Sequence, residues 1–98
     1  MVRAWYARVV FGEVMWTEDS EAHIARHGIQ PAEVEQALYG HPRLQTTGRN
    51  GTTLVLGTSN EGRHLLVVVS EAADGRDFVV TARDMTDNEK RLFREKGQ

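Results

Sequence analysis

Arginine and histidine carry most of the reactive chemistry in this 98-residue chain. There is no cysteine, which removes thiol nucleophiles, disulfides and Cys-based zinc sites together. Only Lys90 and Lys96 are lysines, so ten of the 12 basic residues are arginine. Arginine's planar fork suits bidentate contact with phosphate or carboxylate. An arginine-rich composition is also what a GC-rich genome produces with no function attached. Arg83 and Arg63 are the candidates for holding a phosphate. The plainer readings pair Arg83 with Asp84 or Glu89 and leave Arg63 as a solvated strand end. His27, beside Arg26, can give or take a proton near neutral pH. A helix C-terminus there would favour the imidazolium, as a general acid needs; capping its own helix is the structural alternative. His64 neighbours Arg63 but faces the other way along a strand. His23 and His27 are four residues apart on one helical face, a spacing that suits zinc. Ile24 nevertheless stands where a metalloprotease motif has glutamate, and no nearby third ligand is obvious, His41 being the one candidate.

The elements that must position these groups follow from periodicity and punctuation. Trp5, Ala7, Val9 and Phe11 alternate with Tyr6, Arg8 and Val10, which predicts a strand over 4–11. A start at Met15 is the alternative, with 1–14 as an extra strand or an extension. Thr17 is a helix N-cap followed by Glu18, Asp19 and Glu21, and the helix runs to about His27, stopping at Gly28. A second helix begins at Pro31, with Ile29 stapled to Val34 and a buried stripe of Val34, Ala37 and Leu38, until Gly40 and Pro42 end it. Strands are expected over 43–47, 52–59, 63–70 and 77–83. Asn50-Gly51, 60–62 and Asp74-Gly75 form the turns between them. Leu65–Val69 is apolar on both faces, as in a central strand. Thr86 and Glu89 form a capping box for a last helix over 87–96, with Leu92 and Phe93 inward and Lys90, Arg91, Arg94 and Lys96 outward.

This order predicts an α+β fold: an antiparallel meander sheet of about four strands, an N-terminal helical hairpin and a C-terminal helix in a single domain. One sheet face is covered by helices and the other is left open. Strict alternation sets Val79, Thr81 and Arg83 on one face, opposite Phe78, Val80 and Ala82. If Phe78 and Val80 face the helices, Thr81 and Arg83 face the open side. Arg63, opening the central strand, could then stand near Arg83.

Net charge is −2, from 12 basic and 14 acidic residues, and a dedicated nucleic-acid binder usually carries a basic surplus. Lys90, Arg91, Arg94 and Lys96 make a local basic patch, either a grip on a nucleic-acid backbone or a solvated helical face with Glu89 and Glu95 interspersed. The longest apolar run, Leu65–Val69, is far short of a membrane span. Residues 1–16 show no signal-peptide pattern. The missing cysteines fit a cytoplasmic protein.

Two segments resemble the BrnT toxin family: HIARHGIQPAEVEQALYGHPR its helix hairpin, and GRHLLVVVS with FVVTARDMTDNEKRLFRE its later strands and last helix. The resemblance spans roughly residues 16–94, with four motifs in register. It implies a RelE-like fold, a metal-independent endoribonuclease without cofactor, an RNA substrate, and a cognate DNA-binding antitoxin. The family's Lys-His falls on Arg26-His27, its Gly-Arg on Gly62-Arg63, its Ser-Ala-Arg on Thr81-Ala82-Arg83, and its helix glutamate on Glu89. Phe93 stands where the family has tyrosine, and Trp16-Thr17 is one residue nearer the histidine than the family's Trp-Asp. The resemblance implies catalytic roles for His27, Arg63 and Arg83. It implies phosphate or RNA contacts for Arg26, Thr81, Lys90, Arg91 and Arg94. Metal-free RNA cleavage needs a base for the 2′-OH, donors for the transition state, an acid for the 5′-oxygen and a grip on the backbone. The alternatives are a non-catalytic binding or regulatory module on the same scaffold, as a homodimer or within a complex, and a zinc hydrolase built on His23 and His27.

Overall fold

Thr17 starts the first helix in the computed structural model, which describes residues 13–97. Its hydroxyl accepts the Ser20 N–H at 3.0 Å, and Ser20 Oγ accepts the Thr17 N–H at 2.9 Å. This reciprocal box opens α1 (Glu18–Ala25), with Glu18, Asp19 and Glu21 in the turn where the helix dipole favours acids. The helix closes in a Schellman arrangement: Gly28 N–H to the Ala25 carbonyl at 2.9 Å and Ile29 N–H to the Ile24 carbonyl at 3.0 Å. Gly28 takes φ +68°, which explains why glycine stands there. The second helix, α2 (Pro31–Tyr39), begins at its proline and buries Val34, Ala37 and Leu38.

The sheet has five strands: β1 (Val14–Met15), β2 (Leu44–Thr47), β3 (Thr53–Thr58), β4 (His64–Glu71) and β5 (Asp77–Asp84), in the order β1-β5-β4-β3-β2. β2 to β5 form the expected antiparallel meander. The sheet as a whole is mixed. β1, which no period in the sequence announced, runs parallel to β5 with Val14 opposite Asp77 and Met15 opposite Phe78. Two residues are too few to show alternation, and Val14 is fixed by a contact outside the sheet, its N–H donating to the Tyr39 hydroxyl at 2.9 Å. The strand expected over 4–11 lies outside the described residues. The last helix, α3 (Asp87–Lys96), has the expected boundaries, its Thr86–Glu89 box formed in both directions.

Both faces of the sheet carry a core. The α1–α2 hairpin covers Val55, Leu65, Val67, Val69, Val79 and Ala82. A Cβ on Gly57 would run into the Ala37 carbonyl, so α2 rests on β3 at backbone distance there. On the opposite face α3 packs Phe93 and partly buried Leu92 over Leu44, Leu56 and Leu66, with Met85. The expectation of an open second face is thus corrected. A helix with only two large apolar residues suffices, because β2 to β4 offer it a second row of leucines. Strict alternation along β5 is also corrected. Val68 pairs with Thr81 but Val69 pairs with Val79, a bulge that inserts Val80 and shifts the phase, so Val79 is buried with Ala82 while Val80 is exposed. Among the described residues no helix is long and apolar enough to cross a membrane.

Candidate functional site at one end of the sheet

The close of α1, the start of β4, the end of β5 and the start of α3 meet at one end of the sheet. His27, Arg63, Arg83 and Lys90 are brought there by four different elements, and Arg26 precedes His27 in the chain. Arg63 and Arg83 do not share a face. Leu65 pairs with Asp84 and Leu66 with Arg83. Neighbouring strand residues point to opposite sides, so Asp84 faces the hairpin and Arg83 faces α3.

Arg63 is held within the protein. Its Nε and Nη2 donate to the Asp84 carboxylate at 2.8 and 3.1 Å. Nη1 donates to the Gly28 carbonyl at 2.8 Å and Nη2 to the His27 carbonyl at 3.0 Å. Glu33 Oε1 lies 3.5 Å from Nη1. One guanidinium therefore ties the turn after α1 to β5 and α2. The Asp84 bond, then the Asp84 and Glu33 charges, raise its pKa against the opposing effect of burial. In return the Arg63 bond holds the Asp84 carboxyl below its ordinary value, with further help from the charges of Arg63, His27 and Lys90. His27 and Lys90 therefore both lie within electrostatic reach of Asp84. His27 itself is solvent-exposed.

Arg83 forms a fork-to-fork pair with Glu89, Nη1 to Oε1 at 2.8 Å and Nη2 to Oε2 at 3.0 Å, and Nη1 also reaches the Asp84 carbonyl at 3.0 Å. Its side chain keeps 42% of its exposure. The Glu89 bond raises the Arg83 pKa. Burial pushes the Glu89 carboxyl up, but bonds from Arg83 and the Thr86 N–H outweigh it and leave the carboxyl lowered. Thr81 is half-buried beside Val68, on the Arg83 side of the sheet. Arg91 and Arg94 are exposed along α3, and Lys90 is half-buried at its first turns. The T-shaped contact of His64 with the Phe93 ring, 5.8 Å between centroids, places His64 against the α3 core.

Among the described residues no group of three or more His, Cys, Asp or Glu side chains stands where it could hold a metal ion. The zinc alternative on His23 and His27 thus finds no third ligand there. His41 stands instead beside Arg43, 3.5 Å from its Nη2.

Three features escaped the sequence. Asp84 was legible only as a partner for Arg83, yet it belongs to Arg63. Arg43, expected to open a strand, is 8% exposed, donates to the Leu38 carbonyl, and has its pKa lowered by burial. A polar groove of about 560 Å³ lies between α2 and the β3–β4 turn. Its one legible trace was the spacing of Gln30, Glu33 and Gln36 along one helical face. No protein-family model, curated protein or solved structure gives a significant match to this chain.

Proposed function

We propose that this chain is a ribonuclease toxin of the BrnT type, with a RelE-like fold. It cuts RNA in the cytoplasm without a metal and is restrained by a DNA-binding antitoxin. The four in-register motifs support the family, and the helical hairpin, antiparallel β2–β5 meander and terminal helix support the RelE-like fold. The observation that carries the activity is the gathering of His27, Arg83 and Lys90 at one end of the sheet by separate elements, with Arg26 preceding His27 in the chain. His27, exposed and within electrostatic reach of the Asp84 carboxylate, transfers the proton. Arg83 presents the exposed part of its guanidinium to the scissile phosphate, where a charge-assisted donor stabilises the transition state. Arg26, Lys90, Arg91 and Arg94 hold the backbone on either side. Arg63 contributes by fixing the turn that carries His27, since its own donors are committed to Asp84, His27, Gly28 and Glu33.

A second reading is a non-catalytic binding module. It is favoured by one observation: both central arginines are already paired with internal carboxylates. A small neighbouring gene for a ribbon-helix-helix or helix-turn-helix protein favours the toxin, and an isolated gene favours the module. The direct test incubates purified protein with end-labelled RNA in EDTA. Fragments ending in a 2′,3′-cyclic phosphate, lost in a folded His27→Ala variant, are the expected result. Intact RNA at high protein concentration would leave the binding module.

A further inference from the structure

The groove between α2 and the β3–β4 turn has no role in the proton and phosphate chemistry described above. We propose that it is a guanine-binding subsite for the RNA substrate, an inference that rests on the ribonuclease reading. Gln30, the residue that precedes α2, and Glu33 and Gln36 within it line one wall at three-residue spacing. Asn60 and Glu61 form the opposite lip, and Arg63 closes the end shared with the His27 turn. Gly28 at that end adds no side chain to obstruct it.

The polar walls are fixed before any ligand arrives. The Asn60 N–H donates to Gln36 Oε1 at 2.9 Å, which leaves the Gln36 amide nitrogen to donate elsewhere. Glu33 Oε1 accepts the Gln30 N–H at 3.0 Å and lies 3.5 Å from Arg63 Nη1. The five N–H groups of Arg63 point to Asp84, His27, Gly28 and Glu33 in the plane of the guanidinium. Toward a ligand it therefore offers a flat face, and guanidinium faces stack on nucleobases.

Charge decides what the groove accepts. Two carboxylates, Glu33 and Glu61, stand against one committed arginine, so a phosphate is disfavoured and a neutral group rich in N–H donors is favoured. Guanine alone among the RNA bases presents two adjacent N–H donors, N1–H and N2–H, beside an acceptor, O6, on its Watson–Crick edge. Glu61 accepts the two donors, and the Gln36 amide donates to O6. The volume lies within the range of small-molecule sites. A guanosine seated here sends its phosphate toward the His27 turn.

The test is an amide NMR titration of the full chain with the 5′-monophosphates of guanosine, inosine, adenosine and cytidine, on wild type and Glu61→Gln. Guanosine monophosphate should shift Gly28, Asn60, Glu61 and Gly62 and bind roughly tenfold tighter than the adenosine compound. Inosine monophosphate, which lacks the 2-amino group, should fall between them. Glu61→Gln should abolish the preference. Equal binding of all four, shifts elsewhere on the molecule, or a preference unchanged in Glu61→Gln overturns the inference. The two proposals fail separately. RNA cut without guanine preference, with no guanosine monophosphate in the groove, removes the subsite and leaves the ribonuclease. Groove binding by a protein that cuts no RNA removes the ribonuclease and leaves a guanine-binding groove with no part in cleavage.

Discussion

Replacing Arg63 by alanine removes a side chain that ties the α1–α2 connection to β5. The interactions removed are two bonds to the His27 and Gly28 carbonyls and a two-point pair with Asp84. The carbonyl bonds come from a charged donor whose side chain is 29% exposed, so about 1 kcal/mol each is appropriate. Asp84 is 58% exposed, and solvent screening holds its pair below about 1 kcal/mol. The sum is about 2–3 kcal/mol at pH 7, readable by urea denaturation with an unchanged slope. The loss depends on pH with a definite sign. Asp84 is lowered in the folded protein, first through its Arg63 bond. The stabilisation from this shift is complete above the unfolded value of about 4 and disappears as pH falls through the folded one. The difference between wild type and Arg63→Ala should therefore shrink from pH 7 to pH 2–3, the variant having the shallower acid limb. A loss below about 0.5 kcal/mol, or a difference independent of pH over that span, would refute the clamp.

Other consequences concern packing, capping and charge. Gly57→Ala forces a Cβ into the Ala37 carbonyl, a backbone atom that can move only with its helix, so thermal unfolding should report a loss of about 1–3 kcal/mol or more. Glu89→Ala removes the bond to the Thr86 N–H at 2.8 Å and releases Arg83 from its carboxylate, leaving its bond to the Asp84 carbonyl. Stability should fall by about 1–2 kcal/mol, while RNA binding at low salt should strengthen, because Arg83 then has no internal carboxylate to prefer. Replacing Lys90, Arg91 and Arg94 together by alanine should weaken RNA binding and flatten its salt dependence, by about 0.7 in log–log slope for each phosphate that the variant no longer neutralises.

Much of the fold was legible because its punctuation is local. Thr17, Gly28, Pro31 and the Thr86–Glu89 pair each act through bonds three to five residues apart, so they set helix ends that tertiary contacts did not move. β4 was legible as central because Leu65–Val69 must be buried on both faces, and the second core beneath α3 is what buries the other one. The phase of β5 was not legible: the bulge at Val80 comes from pairing with β4, and a single strand's alternation cannot register it. Nor was β1, whose Val14 is tied to Tyr39, 25 positions away. At the candidate site the residue types were legible, and Glu89 was one of the two partners expected for Arg83, whereas the pairing of Arg63 with Asp84 was not. Arg63 and Arg83 both start or end a strand beside a turn, but strand parity sends them to opposite faces. Which carboxylate each one finds, Asp84 or Glu89, is fixed by the β4–β5 register. Beyond the Gln30, Glu33 and Gln36 spacing the groove was not legible, for the same reason: Gln36 and Asn60, which line it from opposite sides, are 24 residues apart and joined only by folding.

The most direct test of the central claim is the rate of RNA cleavage in EDTA by wild type and by Arg83→Ala, with circular dichroism to establish that both are folded. Removing a positioned donor to the transition state typically lowers the rate by about 10²–10³. The account predicts metal-independent cleavage by wild type and a fall of that size in the variant. A folded Arg83→Ala protein that cuts RNA at the wild-type rate, or a wild-type activity that vanishes in EDTA, would contradict it.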